Sequence, residues 1–409
     1  GYLSFSSVAT GDNNTAIGSR SMFSNTSGSE NTGLGKDALY SNTVGLYNTA
    51  VGEGALYNNV DGSQSVAVGR LALYTQDPAS AVNMLNTAVG YAAGQLVTTS
   101  IYNTLVGGLA GDSLTTGGYN VVVGAGALSG EDTGRKNVAV GAYALQVQNG
   151  DADNHNTAVG YFAGGAVSTG TLNTLIGSLA GDAVNTGSCN VAIGVSALGA
   201  TTSGNYNIAI GTQALDGNTQ GAHNIGIGYA TLDGDTLGSK SIGIGGFALG
   251  TQNFTTATDV HNVAIGYNTG GLITTGIQNT LIGGLAGDAI TTGDYNLAIG
   301  HQALSATTTG NYNVAVGRSA LFTNILGNRS TAIGISALET QNYATATDAY
   351  NTAVGYNAGA AVTTGEQNTL IGSLAGDALT AAFENVAIGY EAQTTDTLGR
   401  RTVAIGNGA

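Results

Sequence analysis

The side chains that could do chemistry in this chain are few and widely spread. His155, His223, His261 and His301 lie far apart without ligand spacing, whereas a zinc site needs three or four ligands converging on one point. Asp112, Asp182, Asp288 and Asp377 recur in the context Leu-Ala-Gly-Asp. Single carboxylates so far apart in sequence do not assemble the six or more oxygens that calcium takes. A three-fold assembly could bring three together on its axis, but the simpler role is a turn-capping aspartate. The string Gly124-Ala-Gly126 has neither the following helix nor the lysine of a phosphate loop. Glycosidase chemistry needs two carboxyls about 5 to 9.5 Å apart, and no acidic pair stands out from its surroundings. The single cysteine, Cys189, rules out an intrachain disulfide. These residues predict no cofactor, no metal site and no enzymatic activity.

Composition narrows the scaffold. Of 409 residues, 67 are glycine and one is proline, and charged residues make up 9%. The Glu, Lys and Arg surface of a helical protein is missing. Collagen needs Gly-X-Y with abundant proline, and flexible linkers lack regular aliphatic residues. Here 42% of residues are hydrophobic, so the chain has the material for a β-structured core. A net charge of −15 repels phosphate backbones and anionic membranes, which excludes nucleic acid as partner. No stretch approaches the ~20 apolar residues of a membrane helix, so no membrane insertion is expected within the sequence.

The organising feature is a repeat. Asn-(Thr/Val/Ile)-Ala-(Val/Ile)-Gly recurs with its glycine at Gly18, Gly35, Gly52, Gly69 and onward to Gly406, mostly 17 residues apart. Such a period marks a solenoid, each turn of the coil being one rung. With the Asn as position 1, the motif glycine is position 5, and a second glycine recurs at position 15, as in Gly45 and Gly117. Both glycines suggest corners with positive φ. Position 4 is always Val, Ile or Leu, position 2 is Thr or aliphatic, and position 3 is usually Ala or Gly. Strand side chains alternate between faces. The bulkier positions 2 and 4 are assigned to the coil interior and small position 3 to the outside, against a neighbouring copy. Most rungs carry Ala at 8 and Leu at 9; a second type has Gly at 9 and an aliphatic residue three positions later, as in Gly111 and Leu114.

The position-1 asparagines, among them Asn14, Asn31, Asn48, Asn103, Asn190, Asn207 and Asn313, form a predicted structural ladder in which amides stacked about 4.8 Å apart bond along the axis. Recurrent tyrosines beside the motif, such as Tyr102 and Tyr119, are read as packing at rung edges rather than as sugar-binding faces. Four rungs are longer, with spacings of 21, 19, 21 and 21 residues. Super-repeat blocks follow them, dividing one continuous array at 1–85, 86–155, 156–261, 262–350 and 351–409. The extra residues should bulge from one edge and offer receptor-contact loops around Gln76, Asp77, Asn149, Asn253, Phe254, Asn342 and Tyr343. Gly1 falls at position 5 of a rung and Ala409 at position 8 of the last. Uncapped ends of this kind suggest a segment of a longer chain, or a unit that stacks end to end.

The stretches Asn137–Gly141 and Asn190–Gly194 resemble the head repeats of trimeric autotransporter adhesins, and Ala38–Thr43 is similar to repeats of bacterial and phage tail-fibre proteins. The resemblance covers essentially the whole chain, although the adhesin rung is typically shorter. It implies a parallel β-roll, left-handed in that family, in a homotrimer exposed on a bacterial surface or virion. The expected fold is therefore an all-β parallel solenoid of 17-residue rungs, about 115 Å long at ~4.8 Å per rung. The expected function is an extracellular structural or adhesive fibre segment, a surface adhesin or tail-fibre shaft presenting binding surfaces to a host or neighbouring cell. Expected partners are further copies of the chain and a cell-surface receptor or glycan. Alternatives are a self-assembling extracellular filament, an ice-binding solenoid displaying Thr ranks, and a fibre-borne polysaccharide depolymerase.

Overall fold

The computed structural model describes residues 2–5, 10–151 and 153–409; Gly1 lies outside them. The described residues contain no helix, and the regular structure is made of short parallel strands. The chain forms two compact units, residues 1–205 and 206–409. In the first, eleven three-residue strands run from Thr15–Ile17 to Val191–Ile193. Each pairs in parallel with the next, motif on motif, as Thr15 with Thr32 and Ile17 with Leu34. Where a rung is lengthened the register holds, Val66 pairing with Thr87 across the 21-residue spacing. The second unit repeats this arrangement in twelve such strands, from Ile208–Ile210 to Val403–Ile405. It also has two-residue strands, Gly238–Ser239 with Thr258–Asp259 and Gly327–Asn328 with Thr347–Asp348. This is a parallel β-solenoid with rungs of about 17 residues.

The facing of the strands is opposite to the sequence expectation. Position 3 points inward: Ala50, Ala88, Val122, Ala209 and Ala298 are 0% exposed. Positions 2 and 4 point outward and stay partly or fully exposed, as in Thr49, Val51, Ile208 and Ile210. The reason is the thinness of the coil. The buried Leu at position 9 lies across from the strand (Leu39, Leu128, Leu215, Leu304), and between two backbone walls there is room for one large side chain and a small one facing it. Since side chains alternate, putting position 3 inside forces both bulkier neighbours out.

The second rung type keeps that volume by exchange. Gly94 and Gly111 stand where Leu is usual, and Leu105 occupies position 3 in place of Ala. A Cβ on Gly94 would come within 2.5 Å of Leu105 Cδ1, and one on Gly111 within 3.0 Å of Leu105 Cδ2. Val97 and Leu114 fill the remainder, both 0% exposed. Leu175, Leu281 and Leu370 are used in the same way, against Gly164 and Gly181, Gly270 and Gly287, and Gly359 and Gly376.

The two recurrent glycines serve different needs. At position 5, Gly35 has φ 139°, and a Cβ there would lie 2.6 Å from the carbonyl oxygen of Gly52 one rung on. At position 15, Gly45 is outside the left-handed region, contrary to expectation. It is required because a Cβ would meet Asn42 Oδ1 and Gly62 O, each at 2.4 Å. Left-handed backbone instead falls on ordinary residues at positions 7, 9 and 17, as in Asp37 (φ 59°), Leu39 (φ 51°) and Tyr47 (φ 59°).

Exchange packing makes a testable claim. Gly111→Leu should destabilise the protein by about 1–3 kcal/mol through overpacking, although Leu is native at the same phase in other rungs. Adding Leu105→Ala should recover part of that loss, with a coupling of roughly 0.5–3 kcal/mol in a double-mutant cycle. Additive effects on chemical denaturation would contradict this packing.

Candidate functional site

The insertions are the places where the array departs from its own period, so they were the candidate contact sites. Gln76, Phe254 and Tyr343 are buried, which corrects their assignment as receptor contacts. Asp77, Asn149, Asn253 and Asn342 are exposed. Buried and exposed residues alternate because the insertion leaves the coil directly after an inward-facing side chain. Tyr343 turns its hydroxyl inward and donates to Gly365 O at 2.5 Å. Burial pushes this phenol far above its usual range.

The inward-facing residue at position 12 of each long rung is a glutamine: Gln76, Gln148, Gln252 and Gln341, all 0% exposed. Each bridges three rungs. Gln76 Nε2 donates to Asn59 Oδ1 below at 2.9 Å, and Gln76 Oε1 accepts from Asn86 Nδ2 above at 3.0 Å. Gln252 does the same between Asp235 (2.6 Å) and Asn262 (2.9 Å), and Gln341 between Asn324 (3.2 Å) and Asn351 (2.9 Å). Three of these rungs have Ser in place of the position-1 Asn, and Ser65, Ser241 and Ser330 each accept from their own rung's Gln at 3.0 Å. The pairing of Ser at position 1 with Gln at position 12 stands in the sequence just before each 21-residue spacing. It marks where the coil is opened and plugged.

Two insertions are tied down by a buried carboxylate. Glu131 is 0% exposed and accepts from Gly134 N (2.7 Å), Gln148 Nε2 (3.0 Å), Asn154 Nδ2 (3.0 Å) and Gly150 N (3.3 Å). Asp235 accepts from Gln252 Nε2 (2.6 Å), Gly238 N (3.0 Å) and Phe254 N (3.2 Å). Burial raises both carboxyls above the usual carboxylate range, and the hydrogen bonds oppose that only in part. Outside the coil, a cation one rung earlier pairs with an aspartate of the insertion: Lys136 with Asp153 (2.6 Å), Lys240 with Asp259 (2.6 Å) and Arg329 with Asp348 (3.2 Å).

The ladder asparagines bond mainly to backbone. Asn31 Nδ2 donates to Gly45 O at 2.8 Å, and its Oδ1 accepts from Asn48 N, one rung on, at 2.8 Å. Asn14, Asn48, Asn103 and Asn313 repeat both contacts. Asn190 Nδ2 donates to Gly204 O and Asn207 Nδ2 to Gly221 O, each at 2.8 Å. Direct amide–amide bonds accompany these in places, as from Asn313 Nδ2 to Asn296 Oδ1 at 3.2 Å.

Among the other candidates, Asp112 has its Oδ1 buried without a hydrogen-bond partner among the described residues, and burial raises its carboxyl. His223 stacks flat on Tyr206, centroids 4.9 Å apart. Some tyrosines stack along the axis, Tyr40 on Tyr57 at 4.9 Å, Tyr102 on Tyr119 at 5.0 Å and Tyr295 on Tyr312 at 4.9 Å, whereas Tyr143 and Tyr161 meet edge to face at 6.4 Å. Faces inside a stack are turned to one another, which favours packing there, while a ring at the end of a stack, such as Tyr119, keeps its other face unstacked. No protein-family model matches the chain, and no curated protein matches it.

The raised carboxyls give a pH dependence of fixed sign. A carboxyl whose pKa is higher folded than unfolded contributes stability below its unfolded pKa, about 4, that is lost as pH rises through the folded value. Wild-type protein should therefore lose stability from pH 4 upward relative to a Glu131→Gln/Asp235→Asn variant, read as the difference in Tm at each pH. A Tm advantage of the variant over wild type that stays flat, or shrinks as pH rises, would refute this.

Proposed function

We propose that this chain is a segment of an extracellular structural or adhesive fibre, a surface adhesin or tail-fibre shaft that associates with its own copies and presents its insertions to a host or neighbouring cell, with no catalytic role. The observation that carries this reading is the outward position-4 column. It is aliphatic in every rung, yet Ile17 is 58% exposed, Ile193 37% and Ile333 40%. A three-residue strand covers about 10 Å and rungs stack about 4.8 Å apart. The eleven strands of residues 1–205 thus present a strip on the order of 500 Å². Position 4 is aliphatic along the whole strip, while position 2 is threonine in seven of its eleven strands, and an exposed aliphatic column of this length marks a contact surface. Its periodicity matches a second copy of the same chain, whose rungs repeat at the same rise. The contact is made by positions 2 and 4, replacing the position-3 face expected from sequence. A homotrimer closes such a strip around an axis, in keeping with the resemblance to trimeric adhesin heads.

Ice binding is the second reading, because the threonines at position 2 do face outward, as Thr15, Thr104 and Thr157 do. Their rank is broken by Val66, Val121 and Ile225, and the rank beside it is aliphatic throughout. That pattern suits an assembly surface better than an ordered water lattice, and the chain should show no thermal hysteresis at millimolar concentration.

Sedimentation equilibrium at micromolar concentration should give a trimer mass. Placing charge on the strip with Ile193→Asp and Ile299→Asp should dissociate it while leaving the far-UV circular dichroism of the strands unchanged. A wild-type monomer would overturn the fibre reading.

A further inference from the structure

Within residues 1–205 a trough runs over the outer side of three successive rungs and ends against the insertion that follows Gln148. It has two lobes of about 480 and 280 Å³, both lined by Thr116 and Arg135. Its floor exists because position 16 of the middle rung is Gly118, between Ile101 and Arg135 of the rungs on either side; a Cβ there would lie 2.8 Å from Ile101 O. One end is closed by Asp151 and Asp153 of the insertion, which is pinned to the rung by a parallel bridge between Arg135 and Asp153 and by Asn154 N donating to Arg135 O at 3.1 Å. The other end is walled by Tyr119 and Ile101.

The polar groups along this trough are unusually free. Arg135 makes no ion pair among the described residues, whereas its neighbour Lys136 is held by Asp153 at 2.6 Å. The hydroxyls of Thr99 and Thr116 have no hydrogen-bond partner among the described residues, and Thr133 Oγ1 reaches Asp151 Oδ1 only at 3.4 Å. Tyr119 is 51% exposed and stacks on Tyr102 with one face. An apolar wall, then a guanidinium with hydroxyls, then carboxylate acceptors is the order of groups that a sugar chain meets with its C–H faces and its hydroxyls. Asp153 and Asn154 are held to the rung before anything binds, which lowers the ordering cost at that end. Two carboxylates at one end, on a chain of net charge −15, disfavour sulfated or uronic ligands.

We propose that this trough binds a neutral oligosaccharide, with Tyr119 and Ile101 against a sugar face, Arg135 donating to sugar oxygens, and Thr116 and Asp151 engaging hydroxyls. The proposal rests on the adhesive reading above and names the ligand class at one insertion. The test is calorimetric titration of the full chain with cellohexaose, maltohexaose, mannohexaose and a heparin hexasaccharide. At least one neutral hexasaccharide should bind saturably. Arg135→Ala and Tyr119→Ala should each weaken it about tenfold, the loss of a charge-assisted hydrogen bond or a ring contact. Tyr312→Ala, at the same phase in the second unit, should leave it unchanged. No binding by any neutral hexasaccharide, tighter binding of the heparin fragment, or binding indifferent to both trough variants would overturn the proposal. A monomeric chain that still binds through Arg135 sinks the fibre reading alone; a self-associating chain that binds none of the neutral sugars sinks the trough alone.

Discussion

Everything in this protein depends on each rung finding its own image one turn away. Backbone amides hydrogen-bond along the axis, as from Thr32 N to Asn48 O at 2.8 Å and from Gly52 N to Leu34 O at 2.8 Å. No rung can satisfy its backbone alone. The same demand reaches into the side chains. Asn31 closes its own rung through Gly45 O and the next through Asn48 N, so loss of one amide leaves unpaired groups in two rungs. Stacking also sustains a backbone that local preference opposes. Left-handed conformations on residues such as Leu39 and Tyr47 cost on the order of 1 kcal/mol each, and they persist because neighbouring rungs hold the same geometry.

A coil this thin has no spare volume, which explains why changes in the core come as sets. Leu at position 9 is matched by Ala or Gly at position 3 in nearly every rung, Val122 against Leu128 being the bulkiest pairing, and Leu at position 3 goes with Gly at position 9 in its own rung and the one before. The interior column at position 12 follows the same economy. It runs polar through Asn25, Asn42, Asn59 and Gln76, turns apolar at Val97 and Leu114, and turns polar again at Glu131 and Gln148. Gln ends each polar run that precedes an insertion, because only a long amide spans the gap left when the chain departs from the coil. Glu131 and Asp235 do this with acceptors alone. They hold insertion backbone through Gly150 N and Phe254 N, at the cost of burying a carboxylate.

The functional reading follows from what this interior leaves outside. A core satisfied by one small residue per strand puts the aliphatic positions on the surface, where another copy of the chain can cover them. The insertions then become the variable features on a regular support. Loops held on a rigid scaffold are where binding is commonly placed, and the trough beside Arg135 exists because one insertion is short and tied down at both of its ends.

The sequence by itself determined the period, the parallel stacking, the two rung types and the position of every insertion, because each is a linear pattern that repeats. It also singled out the position-1 Asn. Only the tertiary structure decided which way the strands face. Alternation is equally regular in both senses, and the choice turns on the width of a coil that also contains Leu39 or Leu215, residues distant from the strand in sequence. The structure likewise decided that Gln76, Phe254 and Tyr343 turn inward while Asp77, Asn253 and Asn342 beside them turn out, since that depends on where the chain leaves the coil. And it showed that the glycine at position 15 answers to a carbonyl one rung away, a contact between residues 17 apart that no local preference encodes.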